Sequence, residues 1–212
     1  MPELKAAIIP VTPFEQNCTL IWDDETKRAA VVDPGGDVDR IMQAIGELQL
    51  KVERIILTHG HIDHAGGAAE LKEKLGVDIV GPQREDRFLL EGLADQGRMY
   101  GLEGARDVTP DRWLEEGDTV SVGAISFDVL HCPGHTPGHI VLVQPQAKIA
   151  LVGDVLFAGS IGRTDFPRGD HAALIGSIKQ KLFPLGDDVA FICGHGPAST
   201  IGRERQNNPF LV

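Results

Sequence analysis

Residues 58–67 read THGHIDHAGG and hold three of the eight histidines in this 212-residue chain. His59, His61, Asp63 and His64 all lie within six consecutive positions. Imidazole and carboxylate groups are common metal ligands, and such a dense pattern favours a metal site over a set of solvated loop side chains. We therefore predict that these four residues bind metal.

The sequence around this segment places the four ligands at the end of a strand. The run RIIL before it has strand character, and the run AGGAAELKEKL has helical character. Alternate side chains of extended backbone point the same way, so His59 and His61 can reach one ion. Asp63 and His64, at the mouth of the helix, can turn toward a neighbouring point.

Three further candidates follow other strand-like runs. They are His135 in HCPGHTPGH, Asp154 after IALVG, and His195 in FICGHG. Ligands in sheet proteins collect at the carboxyl ends of strands, where loops converge. Four strand ends would then supply seven ligands to one place.

Seven ligands are too many for one catalytic ion, which typically takes three protein ligands and water. We therefore predict two divalent cations that share a carboxylate. The first is assigned His59, His61 and His135, the second Asp63, His64 and His195, and Asp154 bridges them. Two cations about 3.5–4 Å apart can hold a hydroxide that acts as the nucleophile, so Asp63 and Asp154 are also predicted to serve catalysis. We expect zinc, although these ligand types suit iron and manganese equally.

Strand-like and helix-like segments alternate along the rest of the chain, and no linker interrupts them. The pattern predicts one domain over residues 1–212, with two sheets face to face and helices outside. The predicted helices are 37–50, 65–75, an excursion within 84–112, and one near 171–183. The predicted strands include AAIIPV, CTLIW, AAVVDPGG, VDIVGP, DTVSVGAISFDVLHCPG, HIVLVQP, KIALVGD and VAFICGHG.

Composition narrows the functional classes. A net charge of −11 opposes nucleic-acid binding, and no 18-residue apolar run indicates a membrane span. The amino terminus does not resemble a secretory signal, so a cytoplasmic location is expected. Three cysteines without paired spacing indicate buried, reduced thiols. Nothing in the sequence demands more than a monomer.

Four motifs, in this order, resemble the metallo-β-lactamase superfamily: THGHIDHAGG, CPGHTPGH, LVGDVLF and GHGP. The resemblance covers almost the whole chain and is closest to the short, single-domain hydroxyacylglutathione hydrolases (GloC type) of the glyoxalase II-like branch. The segments IIPVTPFEQNC and GRTDFPRGDH are also similar. The resemblance implies a four-layer αββα sandwich, a two-metal centre with the ligands divided as above, and hydrolysis of glutathione thioesters such as S-D-lactoylglutathione. That reaction is the type II glyoxalase step of methylglyoxal detoxification.

Substrate recognition is predicted from the same resemblance. Arg163 matches a basic position that glyoxalase II enzymes use for glutathione, and its forked donors suit a carboxylate. Longer relatives add a carboxy-terminal helical domain for glutathione, but only 17 residues follow His195. Relatives often have tyrosine where this chain has Pro197. Both departures predict a weaker or broader thioesterase.

The other histidines and cysteines are not expected to bind metal. We predict hydrogen-bonding or packing roles for His131 and His139, and a surface position for His171. Cys132 and Cys193 flank ligands, but the predicted ligand set is complete without them.

Three alternatives to a thioesterase remain open. A persulfide dioxygenase of the same fold would use one iron held by His59, His135 and Asp154. A lactonase or β-lactamase would open a ring instead of cleaving a thioester. A metal-dependent binding protein without catalysis is the third alternative.

Overall fold

The computed structural model describes residues 3–102 and 104–212, and it contains two large sheets and a small hairpin. The five strands of the first sheet lie in chain order: β1 Leu4–Val11, β2 Gln16–Asp23, β3 Arg28–Val32, β4 Lys51–Ile56 and β5 Asp78–Val80. The second sheet contains β6 Thr119–Val122, β7 Ile125–His131, β8 Ile140–Gln144, β9 Ile149–Gly153, β12 Ala190–Cys193 and β13 Ser199–Thr200, in the order β13-β12-β9-β8-β7-β6. The hairpin pairs β10 Leu156–Phe157 with β11 Ser160–Ile161.

Helices flank the two sheets. They are α1 Val38–Glu47, α2 Ile62–Ala65, α3 Ala68–Leu75, α4 Arg87–Leu90, α5 Leu93–Tyr100, α6 His171–Ser177 and α7 Ile201–Asn207. A 3₁₀ turn, Arg84–Asp86, precedes α4, and α6 continues through a π-helical turn, Ile178–Leu182, into the 3₁₀ turn Phe183–Leu185. Among the described residues, no helix is long and apolar enough to cross a membrane.

Alternating side chains along the strands produce three apolar layers. Ala30 and Val32 of β3 face the second sheet and pack with Phe127, whereas Val31 between them packs with Ile41 of α1. Strands of the second sheet alternate in the same way: one face meets the first sheet and the other packs against α6. Since a period of two sends successive side chains to opposite faces, each sheet is covered on both sides. The predicted αββα sandwich is confirmed.

Two of the predicted helices differ from the structure. The helix expected over 65–75 is interrupted, because α2 ends at Ala65 and α3 begins at Ala68. Gly67 lies between them, where a Cβ atom would be 2.8 Å from the carbonyl oxygen of Pro34. The close approach of the 34–36 loop thus requires glycine, and the Gly67 backbone N–H donates to the Pro34 carbonyl at 2.8 Å instead of continuing the helical hydrogen bonds. In the 84–112 stretch regular helix ends at Tyr100, and residue 103 lies outside the described residues.

The short elements near the carboxy terminus were not predicted. Strand β13 and the hairpin strands have only two residues each, too few to show a periodic pattern. Helix α7 begins at Ile201 and is capped by Thr200, whose hydroxyl accepts a hydrogen bond from the backbone N–H of Arg203 at 3.2 Å. This cap satisfies a helix-end donor that a short helix cannot satisfy internally.

Strand directions bring the predicted ligands to one edge of the sandwich. Strand β8 is antiparallel to both β7 and β9, and β12 is parallel to β9. Consequently β7, β9 and β12 all end at the same edge of the second sheet. His135, Asp154 and His195 follow these three strands, and the 58–64 segment follows β4 of the first sheet.

Candidate metal centre

The first predicted ligand group converges tightly. Nδ1 of His61 lies 3.1 Å from Nε2 of His59 and 2.9 Å from Nε2 of His135. Ligand nitrogens of a tetrahedral zinc site lie about 3.3 Å apart, as follows from Zn–N distances near 2.0–2.1 Å. The three imidazoles thus present nitrogens at the spacing of one coordination sphere.

Hydrogen bonds on the far side of two of these rings fix their tautomers. Nδ1 of His135 lies 2.8 Å from the carbonyl oxygen of Arg163 and must donate to it. The Thr58 hydroxyl donates to Asp33 at 2.6 Å and therefore accepts from Nδ1 of His59 at 3.1 Å. When neutral, both rings are thus left with an unprotonated Nε2.

This tautomer assignment tests whether a cation fits. Nδ1 of His61 can donate a proton to only one of the two unprotonated nitrogens beside it. At least one contact near 3 Å therefore sets two lone pairs against each other. A metal ion between the three nitrogens removes that repulsion, so the donor set fits a cation.

The second predicted group also comes together. Oδ2 of Asp63 lies 3.1 Å from Nε2 of His195 and 3.8 Å from Nε2 of His64. The Nδ1 atoms of both rings face acceptors: Asp33 at 2.8 Å for His64, and the carbonyl oxygen of Phe14 at 3.2 Å for His195. Each ring is therefore oriented with Nε2 toward Asp63.

Asp154 lies between the two groups. Its Oδ2 is 3.6 Å from Nε2 of His135 and 3.7 Å from Nε2 of His195. Its Oδ1 is 3.3 Å from Nε2 of His64, although the two atoms lack hydrogen-bond geometry. Both of these atoms are buried without a hydrogen-bond partner in the described part of the chain. Buried polar atoms normally have partners, so this pair also fits a bound cation.

The electrostatics of the first group favour neutral imidazoles. Burial lowers the pKa of His61 to about 3, and it lowers the pKa values of His59 and His135 as well. Neutral imidazole is the form that binds metal. These three rings therefore need not lose a proton before they coordinate.

In the second ligand group, unlike the first, neighbouring carboxylates raise the pKa of an imidazole. Burial alone would lower the pKa of His64, but the carboxylates of Asp154 and Asp63 hold that pKa well above its usual value. Burial likewise opposes ionisation of Asp154, yet His64 keeps its pKa below the usual range. The carboxylates thus create a local field that favours positive charge at this point.

Glycine permits the close approach of Asp154 to its neighbours. A Cβ atom at Gly194 would lie 2.1 Å from Oδ1 of Asp154 and 2.6 Å from Cε1 of His64. Gly153 has a φ of +47°, which favours glycine, and it directs the chain from β9 into Asp154. A side chain at Gly194 would displace the predicted bridging carboxylate, and one at Gly153 would clash with His139 and Thr58.

Sequence reasoning did not identify Asp33. Its two oxygens accept from Thr58 and His64, and the Thr58 hydroxyl in turn accepts from His59. This carboxylate therefore orients one imidazole of each ligand group. Asp33 lies close enough to His59 and His64 to form a third cluster of metal-capable atoms, but its oxygens are already occupied by these donors. Its position directly after β3 was the available signal, because the other candidates also follow strands.

His139 has the kind of role predicted for it. Its Nε2 accepts a hydrogen bond from the backbone N–H of Asp154 at 3.0 Å. Its ring also stacks on His59, with centroids 4.7 Å apart and planes at 18°. His139 therefore contacts members of the site without facing the ligand groups. Nε2 of His131 donates to the carbonyl oxygen of Pro137 at 2.8 Å, and His171 is exposed at the start of α6.

The cysteines are thiols that hydrogen-bond or pack beside the site. Cys193 Sγ lies 3.0 Å from the carbonyl oxygen of His195, to which it can donate. Burial raises the pKa of Cys132 to about 12 and that of Cys193 to about 11. The described residues place neither sulfur in a ligand cluster.

Arg163 lies at the rim of the site, with its side chain exposed. Its guanidinium pairs with Asp165 at 2.8 and 2.9 Å and lies 4.5 Å from the ring centre of Phe166. Phe166 in turn packs 4.7 Å from the ring of His61. Phe14, whose carbonyl oxygen faces His195, forms an edge-to-face pair with Tyr100 at 6.0 Å. Aromatic rings thus flank the ligand groups.

Comparison with known proteins agrees with this arrangement. The Metallo-beta-lactamase superfamily profile matches residues 11–195. The chain is 53% identical to hydroxyacylglutathione hydrolase GloC of Haemophilus influenzae, over 96% of each chain.

Two solved structures are also similar. The crystal structure of BLEG-1 B3 metallo-beta-lactamase has a TM-score of 0.90 and 34% identity, and the match covers 98% of this chain and 99% of that one. The structure of TTHA1623 in a di-iron-bound form has a TM-score of 0.88 and 35% identity, over 97% of this chain and 100% of that one. With the profile, fold and ligand pattern in agreement, this chain belongs to the metallo-beta-lactamase superfamily.

Proposed function

We propose that this enzyme hydrolyses glutathione thioesters such as S-D-lactoylglutathione at a centre of two divalent cations. The observation that carries the proposal is the position of Asp154 between two three-residue ligand groups. The hydroxyacylglutathione hydrolase relative supports the substrate class.

Each ligand group would hold one of the two cations. The first would use His59, His61 and His135, the second Asp63, His64 and His195, and Asp154 would contribute to both. Bound divalent cations supply Lewis acidity, which lowers the pKa of water and polarises a thioester carbonyl. Zinc is our first choice, and the di-iron-bound relative supports iron as the alternative.

The residues around the cations would orient the substrate. Phe166 packs on His61 and offers an apolar surface for the acyl or thiol group. Arg163 lies beside it and could receive a glutathione carboxylate. Because Asp165 already pairs with this guanidinium, the substrate must share or displace that partner. This competition supports the expectation of weak glutathione binding.

The proposal is tested with purified wild-type protein supplied with zinc, iron or manganese in separate samples. Metal analysis should give two ions per chain, and S-D-lactoylglutathione should be hydrolysed with release of glutathione. An intact two-metal centre without thioester cleavage would overturn the substrate assignment alone. A single ion per chain would overturn the two-metal centre.

β-Lactam hydrolysis is a second candidate, because a structure named as a B3 metallo-beta-lactamase matches almost the whole chain. A ring-opening assay on a penicillin or cephalosporin, run beside the thioester assay, compares the two. A higher kcat/KM for the lactam would favour this second function. Oxygen uptake with glutathione persulfide and one iron per chain would instead indicate the dioxygenase alternative.

A further inference from the structure

Asp86 is a fully buried carboxylate that has no place in the ligand set. It ends the 3₁₀ turn Arg84–Asp86, and its exposed fraction is 0%. Its Oδ2 accepts from the Gly60 backbone N–H at 2.9 Å and from the Thr136 hydroxyl at 2.7 Å. Its Oδ1 accepts from the Gly138 backbone N–H at 2.5 Å. One side chain therefore satisfies three donors.

These donors belong to the loops that carry the first ligand group. Gly60 lies between His59 and His61, and Thr136 directly follows His135. The first loop follows β4 of the five-stranded sheet, and the second follows β7 of the six-stranded sheet. Asp86 thus hydrogen-bonds to two loops from different sheets. Its partners Gly60 and Thr136 are next in sequence to the three imidazoles of the first ligand group.

Two glycines allow the Asp86 segment to approach these loops. A Cβ atom at Gly138 would lie 2.5 Å from the backbone nitrogen of Asp86 and 2.8 Å from its Cβ. A Cβ atom at Gly60 would lie 2.8 Å from Cβ of Leu89 and 3.2 Å from the carbonyl oxygen of Asp86. The backbone N–H of Gln83 also donates to the Gly138 carbonyl at 3.0 Å. The contact is therefore a close-packed junction between three segments.

We propose that Asp86 is a positioning residue that sets the spacing of His59, His61 and His135, and so controls metal affinity at that position alone. The proposal rests on the two-metal centre proposed above. The effect of Asp86 is confined to the first metal position because other groups, Asp33 and the Phe14 carbonyl, orient the rings of His64 and His195.

Asp86→Asn is a sharp test because all three partners of the carboxylate are donors. However the amide is turned, its NH₂ group faces at least one backbone N–H, which cannot accept a hydrogen bond. The shape of the side chain is retained. Thr136→Val is a milder variant that removes one donor from the same carboxylate, and Thr136→Ser retains that donor.

Asp111→Asn is the matched control. This carboxylate accepts from the Ile79 backbone N–H at 2.8 Å and from Lys72 at 2.6 Å, at the edge of the first sheet, and its hydrogen bonds in the described part of the chain do not reach a ligand loop. Asp111→Asn thus makes the same carboxylate-to-amide change opposite a backbone N–H, but far from the ligand groups, and it also removes the ion pair with Lys72.

The experiment measures stepwise Zn²⁺ affinity of the metal-free full chain by competition with a chromophoric chelator. Anomalous diffraction from zinc-soaked crystals then identifies which position loses occupancy. We expect Asp86→Asn to weaken one of two sites by about 10- to 100-fold, the range for groups that orient metal ligands. The lost occupancy should be at the His59, His61 and His135 position, and Asp111→Asn should retain both affinities. Thr136→Val should show a smaller loss at that position and Thr136→Ser nearly none.

Several outcomes would overturn the proposal. Wild-type affinities in Asp86→Asn, or an equal loss at both positions, would remove the selective role. If Asp86→Asn fails to fold by circular dichroism, Thr136→Val decides, and unchanged or equally reduced affinities in that variant would contradict us. A wild-type chain that binds one zinc ion would instead refute the two-metal centre.

Discussion

The Asp33 carboxylate accepts a hydrogen bond from Nδ1 of His64 at 2.8 Å, and both side chains are buried at the edge of the sandwich. Through the Thr58 hydroxyl the same carboxylate also reaches Nδ1 of His59. One side chain therefore sets the orientation of an imidazole in each ligand group, although it is not expected to bind metal itself.

Asp33→Ala should weaken metal binding at both positions. Loss of a group that orients a metal-binding histidine typically costs about 10- to 100-fold in metal affinity. Chelator competition on the metal-free protein measures this change. Loss at only one position would show that Asp33 does not couple the two groups.

Asp154→Ala should release both cations and abolish activity together, because Asp154 is the carboxylate that approaches both groups. We expect more than about a 100-fold loss of affinity, beyond the effect of an orienting residue. Metal analysis and thioester turnover on the same sample provide the measurement. Asp188→Ala is the control, since that carboxylate is exposed and pairs with the exposed Lys148. An Asp154→Ala protein with full metal and turnover would contradict the shared-carboxylate arrangement.

Metal removal should lower the thermal stability of the wild-type protein. The cations bind the folded chain, so free metal at 100 times its Kd stabilises it by about 2.7 kcal/mol per site. Calorimetric melting with and without a chelator, followed by zinc addition, measures the reversible shift in Tm. Asp154→Ala should show little response to either addition, and a full response in that variant would count against the assignment.

Arg163→Ala should raise KM for glutathione thioesters several-fold, because it removes a cation at the rim while the backbone carbonyl still orients His135. Metal content should stay at the wild-type level. Asp165→Asn provides the opposite change, since it removes the carboxylate that pairs with Arg163 and should lower KM. Steady-state kinetics at several salt concentrations compare the variants. Equal KM values in all three proteins would exclude Arg163 from substrate binding.

Gly194→Ala should reduce metal affinity because its Cβ would lie 2.1 Å from Oδ1 of Asp154. We expect the loss of metal affinity to be larger than the loss of folding stability, because the clash is with ligand side chains at the rim of the sandwich. Gly46→Ala in α1 is a matched control, because the added Cβ would have no heavy atom of the described residues within 4 Å apart from its chain neighbours and the backbone of its own helix. That control should instead stabilise the helix by about 0.5–1 kcal/mol. Chemical denaturation and metal titration of both variants separate the two effects.

Much of the fold and of the candidate site could be predicted from periodicity and strand ends. The apolar run of β3, the alternation in β7, the helical spacing of α1 and the strand-end positions of His135, Asp154 and His195 are local patterns, and local patterns are visible in a sequence. The division of helix 65–75 was not visible, because it depends on how closely the 34–36 loop approaches Gly67. Very short elements such as β13 also carry no period.

The sequence by itself determined which side chains are available as ligands, how many cations they suggest, and which family the chain resembles. Ligand chemistry is a property of residue type and spacing, so no coordinates are needed for it. Only the tertiary structure decided which partners orient those ligands. Asp33 and Asp86 are ordinary carboxylates in the sequence, and their roles arise because β3, β4 and β7 bring distant donors within hydrogen-bond reach. Hydrogen bonding depends on distances of a few tenths of an ångström, and close packing of the two sheets sets those distances.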